Sequence, residues 1–285
     1  MQLILFRHLW GVTGSWEEVF PQFQQAGYRG IESRMPSPAE RKRFRALLRE
    51  HDFEFIPQIF TQGRTVAQHL ESFRAQVAEA AAFEPRFINA HSGRDAFTEA
   101  ESARFFAEAL RIEEASGVPI AHETHRGRIL FNPWVTHRLV QQFDTLKLCC
   151  DYSHWVCVSE RLLDTEQAIL RQCADRCLHL HARVGYEQGP QVPDPRAPEY
   201  QRHLMAHERW WRMIWQAQHQ RGDKVSTLTP EFGPPLYLHT LPFTGVPVSD
   251  LRDICDWQAQ RQAAHFARWT KGVKPIKGQP QTTRK

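Results

Sequence analysis

The sequence predicts a single closed (β/α)8 barrel, with extended loops after its seventh and eighth strands. Three observations carry this expectation. Short apolar runs recur eight times, each is followed by a helix-start signal, and most helical windows repeat apolar residues at a 3.6-residue spacing. Strands that alternate with helices pair parallel through right-handed crossovers, and eight such units close into a barrel of roughly 250 residues. The competing architecture, a doubly wound open sheet, lacks its phosphate loop. No GxGxxG or GxxxxGKS/T motif follows any apolar run.

In chain order, the run at 3–11 precedes Ser15 and Glu18, a capping box. The run at 28–35 precedes Ser37-Pro38-Ala39-Glu40, the same box with proline at the first helical position. The runs at 53–60 and 86–93 precede the boxes Thr65/Gln68 and Thr98/Glu101. The fifth run, 118–125, leads to Asn132-Pro133, and the sixth, 146–155, to "SERLLDTEQAILRQC". The seventh, 177–185, precedes a helix near 199–221, and the eighth, 225–233, a helix near 250–269. Windows such as "FRALLREH" and "VAQHLESFRAQVAEAAAF" carry the helical period. The segments 184–200 and 233–248, rich in proline, fall where a barrel places its active-site loops. One domain over 1–271 and a basic, disordered tail over 272–285 are the expected organisation.

The composition, 41% hydrophobic and 24% charged over 285 residues, is that of an ordinary globular chain. A net charge of +4, spread along the chain, argues against a nucleic-acid partner, which calls for a concentrated basic face. The six cysteines form no CxxC pair and read as reduced thiols, and neither a signal peptide nor a membrane span is apparent. A cytoplasmic protein is therefore expected. Trp210, Trp211 and Trp215 share one helical window, which suggests a subunit interface and a homo-oligomer.

In such a barrel the C-terminal strand ends converge on one mouth. Their polar residues are His8, Glu32, Gln58, His91, Glu123, Asp151 with His154, His181 and Glu231. Desolvating several carboxylates together costs several kcal/mol unless a cation stands among them. A divalent metal keeps the carboxylates ionised and the imidazole neutral. Glu123, Asp151, His181 and Glu231 are the candidate ligands. His179 and His181 lie two apart and share a face, so alternation alone does not choose between them; the more C-terminal one lies nearer the mouth. His91, His154, Glu32, Gln58 and His8 are candidate substrate contacts, and Trp10 and Trp155 follow strand ends where an indole can stack on a sugar.

The ordered set "HETH", "CDYSHW", "HLHARVG" and "PEFGP" resembles the xylose isomerase-like barrel superfamily, which holds sugar isomerases and epimerases and the family-2 AP endonucleases. The resemblance runs over about 1–270. It implies one ion on Glu123, Asp151, His181 and Glu231, with Glu123 and Glu231 also moving the substrate proton. It further implies substrate contacts for His154 and Arg183. Oxygen-rich ligation favours Mn2+ or Mg2+, with Zn2+ or Co2+ able to replace them. The endonuclease branch needs three zinc ions and more imidazoles. Here Gln58 replaces its strand-three histidine, and Asp194-Pro195-Arg196 stands where its Asp-x-His belongs. The expected function is thus a metal-dependent isomerase or epimerase acting on a small hydroxy-carbonyl compound, a carbohydrate by class. The alternatives are a lyase, dehydratase or decarboxylase on an oxidised sugar or C-glycoside, an AP endonuclease, and a barrel that binds a ligand without catalysis.

Overall fold

Eight parallel strands close on themselves in sequence order. A computed structural model describes residues 1–273. The strands are β1 Gln2–His8, β2 Gly30–Arg34, β3 Glu54–Phe60, β4 Ile88–His91, β5 Ile120–Glu123, β6 Lys147–Cys150, β7 Cys177–His181 and β8 Val225–Thr229. Around them lie α1 Trp16–Gln25, α2 Arg41–Glu50, α3 Val66–Ala81, α4 Glu99–Ser116 and α5 Pro133–Gln142. The chain continues with α6 Tyr152–Ser159, α7 Gln167–Arg176, α8 Gln201–Arg221 and α9 Leu251–Gly272. Among the described residues no helix is long and apolar enough to cross a membrane.

Local chemistry starts the helices where the sequence says it should. Ser15/Glu18, Thr65/Gln68 and Thr98/Glu101 form reciprocal capping boxes, and Asn132 caps α5 with Pro133 in its first turn. Two places differ. Ser37–Glu40 forms a turn and Glu40 is the N-cap, so α2 begins at Arg41. The sixth strand stops at Cys150, because Asp151 caps a short helix that takes up Tyr152–Ser159. The last helix reaches Gly272, the first residue of the expected tail; 274–285 lie outside the described residues.

Alternation along the strands divides the barrel interior. Ile4, Phe6, Ile56, Phe87, Ala121 and Cys149 form one apolar cluster at its lower end. The next residues on the same faces are His8, Gln58, Asn89 and Glu123, so polarity begins one layer up. The larger core lies between the strands and the helices. Trp210, Trp211 and Trp215 belong to it, at 1%, 0% and 2% exposure, with Trp215 packed on Phe266 of α9. These indoles serve the monomer's own interior, which removes the observation behind the expected subunit interface.

Gly30 pairs with Phe6 across β1 and β2, and a Cβ there would come within 2.2 Å of the Phe6 ring. Gly30→Ala should therefore cost about 1–3 kcal/mol through overpacking. Urea denaturation will measure it, and adding Phe6→Leu should recover part of the loss.

Candidate metal centre

Four strand ends bring one ligand atom each to a common point. Glu123 closes β5, Asp151 follows β6, His181 closes β7 and Glu231 lies two residues beyond β8. Their ligand atoms all fall within 4.8 Å of one another, and all four residues are buried. Ligands about 2.1 Å from one ion stand at most about 4.2 Å apart across it. A slight contraction would thus close the group around a cation.

Two atoms of these four residues, His181 Nδ1 and Glu123 Oε1, are buried without a hydrogen-bond partner. His181 Nδ1 approaches Glu231 Oε2 to 2.9 Å, Glu123 Oε2 to 3.7 Å and Asp151 Oδ2 to 3.9 Å, yet makes no hydrogen bond. Glu123 Oε1 is likewise buried and unpartnered. Asp151 divides its two oxygens. Oδ1 accepts from the Ser153 backbone N–H at 3.0 Å and caps α6, while Oδ2 turns to the centre. Arg183 bridges Asp151 Oδ2 and, at 3.4 Å, Glu231 Oε2. Three carboxylates and an imidazole with an open lone pair are a donor set for a hard divalent ion. Two further triples, Cys149–His179–His181 and His91–Glu123–His125, come as close together, but each shares a member with this group.

The charges follow the geometry. Burial pushes Asp151 up to about 6 against the pull of Arg183, and burial also raises Glu123. Burial alone would raise Glu231, but His181 and Arg183 outweigh it and hold the carboxyl below the usual range. Burial alone would lower His181; the Cys149 sulfur and the carboxylates of Glu231, Glu32 and Glu123 outweigh it.

Behind His181 stands Glu32 of β2. Its Oε1 and Oε2 lie 3.0 and 3.2 Å from His181 Nε2. A proton on Nε2 leaves Nδ1 free to ligate, the arrangement in which a carboxylate orients a metal-binding histidine. Glu32 also accepts from Asn89 at 3.0 Å, from Gln58 at 3.3 Å and from Thr229, and faces His179 Nε2 at 3.1 Å. His179 sits one layer below His181, with Nδ1 at 2.8 Å from Thr227 Oγ1.

Residues 20–208 match the sequence profile of the family described as xylose isomerase-like TIM barrel. The chain belongs to the xylose isomerase-like TIM barrels. No curated protein sequence matches it. Among solved structures it is similar to the probable 3-DHS dehydratase AsbF from Bacillus anthracis, at 15% identity and a TM-score of 0.60, covering 91% of this chain and 98% of that one. It is similar also to the 3-keto-D-glucoside 4-epimerase YcjR from E. coli, at 9% identity and 0.56, covering 94% and 100%. A third is a xylose isomerase-like TIM barrel protein from Mycobacterium smegmatis in complex with magnesium, at 11% identity and 0.61, covering 92% and 95%.

A cavity of about 530 Å3 opens over the strand ends of this barrel. Gln58, His91, Arg183 and Trp10 line it, and so do Glu123 and Glu231. Glu32, His8 and His154 do not. Glu32 lies too deep, because the strand stagger sets Arg34, not Glu32, level with Gln58. It is thus the support of His181 and not a wall of the cavity. His8 is buried with Nε2 at 3.6 Å from Cys255 Sγ. His154 is covered by the His125 ring at 3.8 Å and touches Arg183, so it can reach a substrate only through them. Trp155 is fully buried, its indole N–H donating to the Leu130 carbonyl. His122 faces outward between Phe73 and Phe106. Three residues were not foreseen. Asn89 donates to Glu123 Oε2 at 2.8 Å and to Glu32, and His125 and Tyr237 line the cavity. Asn89 shares the β4 face of His91, and His125 follows Glu123 by two residues just past β5, signals the sequence did carry; Tyr237 sits in an irregular loop and left none.

Two measurements check the fit. Glu32→Gln should weaken Mn2+ binding about 10–100-fold while the circular dichroism spectrum is kept, because it loosens the His181 ring without removing a ligand. Acid should weaken it as well. Below about pH 6 the Asp151 carboxyl holds a proton that the ion must displace, and His181 holds another to higher pH. Calorimetric titration should show apparent Mn2+ affinity falling at least about tenfold per pH unit below pH 6.

Proposed function

We propose that this barrel is a divalent-metal-dependent isomerase or epimerase of a small hydroxy-carbonyl compound of the sugar class. One observation carries the reading: of the four clustered residues, the two that line the cavity are the glutamates 123 and 231. Asp151 and His181 hold the centre from behind, and the two carboxylates able to move a proton face the substrate. A Mn2+ or Mg2+ ion held there would supply a Lewis acid that stabilises negative charge on a carbonyl oxygen.

The residues then divide the proton work. Glu231, held ionised by His181 and Arg183, takes a proton from the carbon beside the carbonyl. The C–H electron pair moves into the carbonyl, giving an enediolate. Glu123, whose burial favours the protonated form, returns a proton. Delivery to the opposite face of the same carbon inverts it. Delivery to the former carbonyl carbon, with the hydroxyl proton passing between the two oxygens, exchanges aldose and ketose. Arg183 and Gln58 reach the cavity with N–H donors for substrate oxygens. His91, lowered to about 3 by burial, stays neutral and keeps its Nε2 at 2.9 Å from Glu123 Oε2. Among the fold neighbours, the names epimerase and dehydratase both occur, and at 9% and 15% identity they speak for the barrel and not for the reaction.

The test is a screen of free ketoses, aldoses, 3-keto sugars and 2-keto acids with added Mn2+, run in D2O. Turnover should place one solvent deuterium on the reacting carbon, and Glu231→Gln should lower the rate about 10²–10⁴-fold with little change in melting temperature. A variant as active as the wild type would end the proposal. So would three zinc ions per chain, which belong to a nuclease, or a product lighter by one water, which belongs to a dehydratase.

A further inference from the structure

We infer that the outer half of the cavity is a subsite for a flat apolar group, so that the substrate is a polyhydroxy-carbonyl unit bearing an aromatic or similarly planar substituent. The inference rests on the proposed function for its inner end, where Glu123 and Glu231 take the reacting carbon.

The cavity does not stop at the strand ends. It runs from Glu123 and Glu231 across the mouth to Trp16 at the start of α1 and Phe44 of α2. Its two halves differ in chemistry. The inner wall is Gln58, His91, Arg183 and the two glutamates, a set suited to hydroxyl and carbonyl oxygens. The outer wall is Leu9, Trp10, Trp16, Met35, Phe44 and Tyr237. Trp10 meets Tyr237 edge to face at 4.9 Å, and Trp16 meets Phe44 in the same way at 4.7 Å. Against the Trp10, Trp16 and Phe44 rings a sugar hydroxyl would give up water without gaining a partner, although Ser33, Arg34, Ser37 and Glu40 line the same cavity.

The wall is built, and not a chance exposure of side chains. Gly233 lies against the Trp10 ring, where any Cβ would stand 2.1 Å from Cη2. Gly11, at φ +78°, lets the chain turn after Trp10 in a conformation that other residues rarely adopt. Two glycines thus hold an indole that remains 39% exposed. The position has a reason if a ligand covers it.

A phosphate fits the same space poorly. The cation of the outer region is Arg34, whose guanidinium is stacked 4.1 Å above Phe60. The Glu40 carboxylate lines the same wall and opposes an anion there.

Three binding probes decide between these ligands: methyl β-D-glucopyranoside, phenyl β-D-glucopyranoside and D-glucose 6-phosphate. Calorimetric titration should find the phenyl glycoside about tenfold tighter than the methyl one, in Mn2+-loaded and in EDTA-treated protein alike. Trp16→Ala should bring the two within about twofold. Trp10→Ala, at a half-exposed loop position, should do the same and serves if the first variant fails to fold. Equal affinities in the wild type, a phenyl advantage that survives both variants, or a preference for the phosphate would overturn the inference. The EDTA-treated comparison stands even if metal-dependent turnover is never found, and turnover would stand if the comparison failed.

Discussion

The mouth of this barrel is governed by the cost of keeping carboxylates together away from water. Glu32, Glu123, Asp151 and Glu231 are all buried near the mouth, Glu32 somewhat deeper than the rest. Two like charges 4 Å apart repel by about 4 kcal/mol at an effective dielectric of 20. The fold meets part of this cost with its own groups. Glu32 is enclosed by imidazole, amide and hydroxyl partners, and Arg183 spans Asp151 and Glu231. What these groups leave unanswered is concentrated where Glu123, Asp151 and Glu231 meet the free nitrogen of His181.

Much of this arrangement was legible in the sequence because barrels obey a simple rule. Strand ends converge, so a polar residue that ends an apolar run is a resident of the mouth. Glu123, Asp151 and Glu231 follow from that rule alone. Depth does not. A closed sheet staggers its strands, and residues equally near their strand ends come to lie at different heights. Glu32 was misplaced for this reason, and Asn89 was passed over in favour of His91, two residues later on the same face. The choice between His179 and His181 depended on the same vertical coordinate. Tyr237 belongs to a loop without period, where no spacing argument applies. The indoles of α8 were misread because a count of aromatic residues says nothing of the side they face.

The two ends of the cavity are made by different parts of the chain. Strands three to eight, with their short extensions, supply the polar inner wall. The first two βα loops and the loop after β8 supply the apolar wall. Sequence change in those loops can alter the cavity without touching the buried cluster at the strand ends, which is how one barrel fold comes to serve many substrates.

Asp151 carries a consequence beyond its charge. One oxygen caps the start of a helix and the other faces the cluster, so a single side chain joins the candidate centre to the seating of α6. Ser153, whose backbone N–H donates to Oδ1, also accepts from Arg183 Nε at 3.1 Å, and Arg183 in turn pairs with Oδ2. The posture of this guanidinium, which lines the cavity, is therefore tied to the seating of α6 through one short run of side chains.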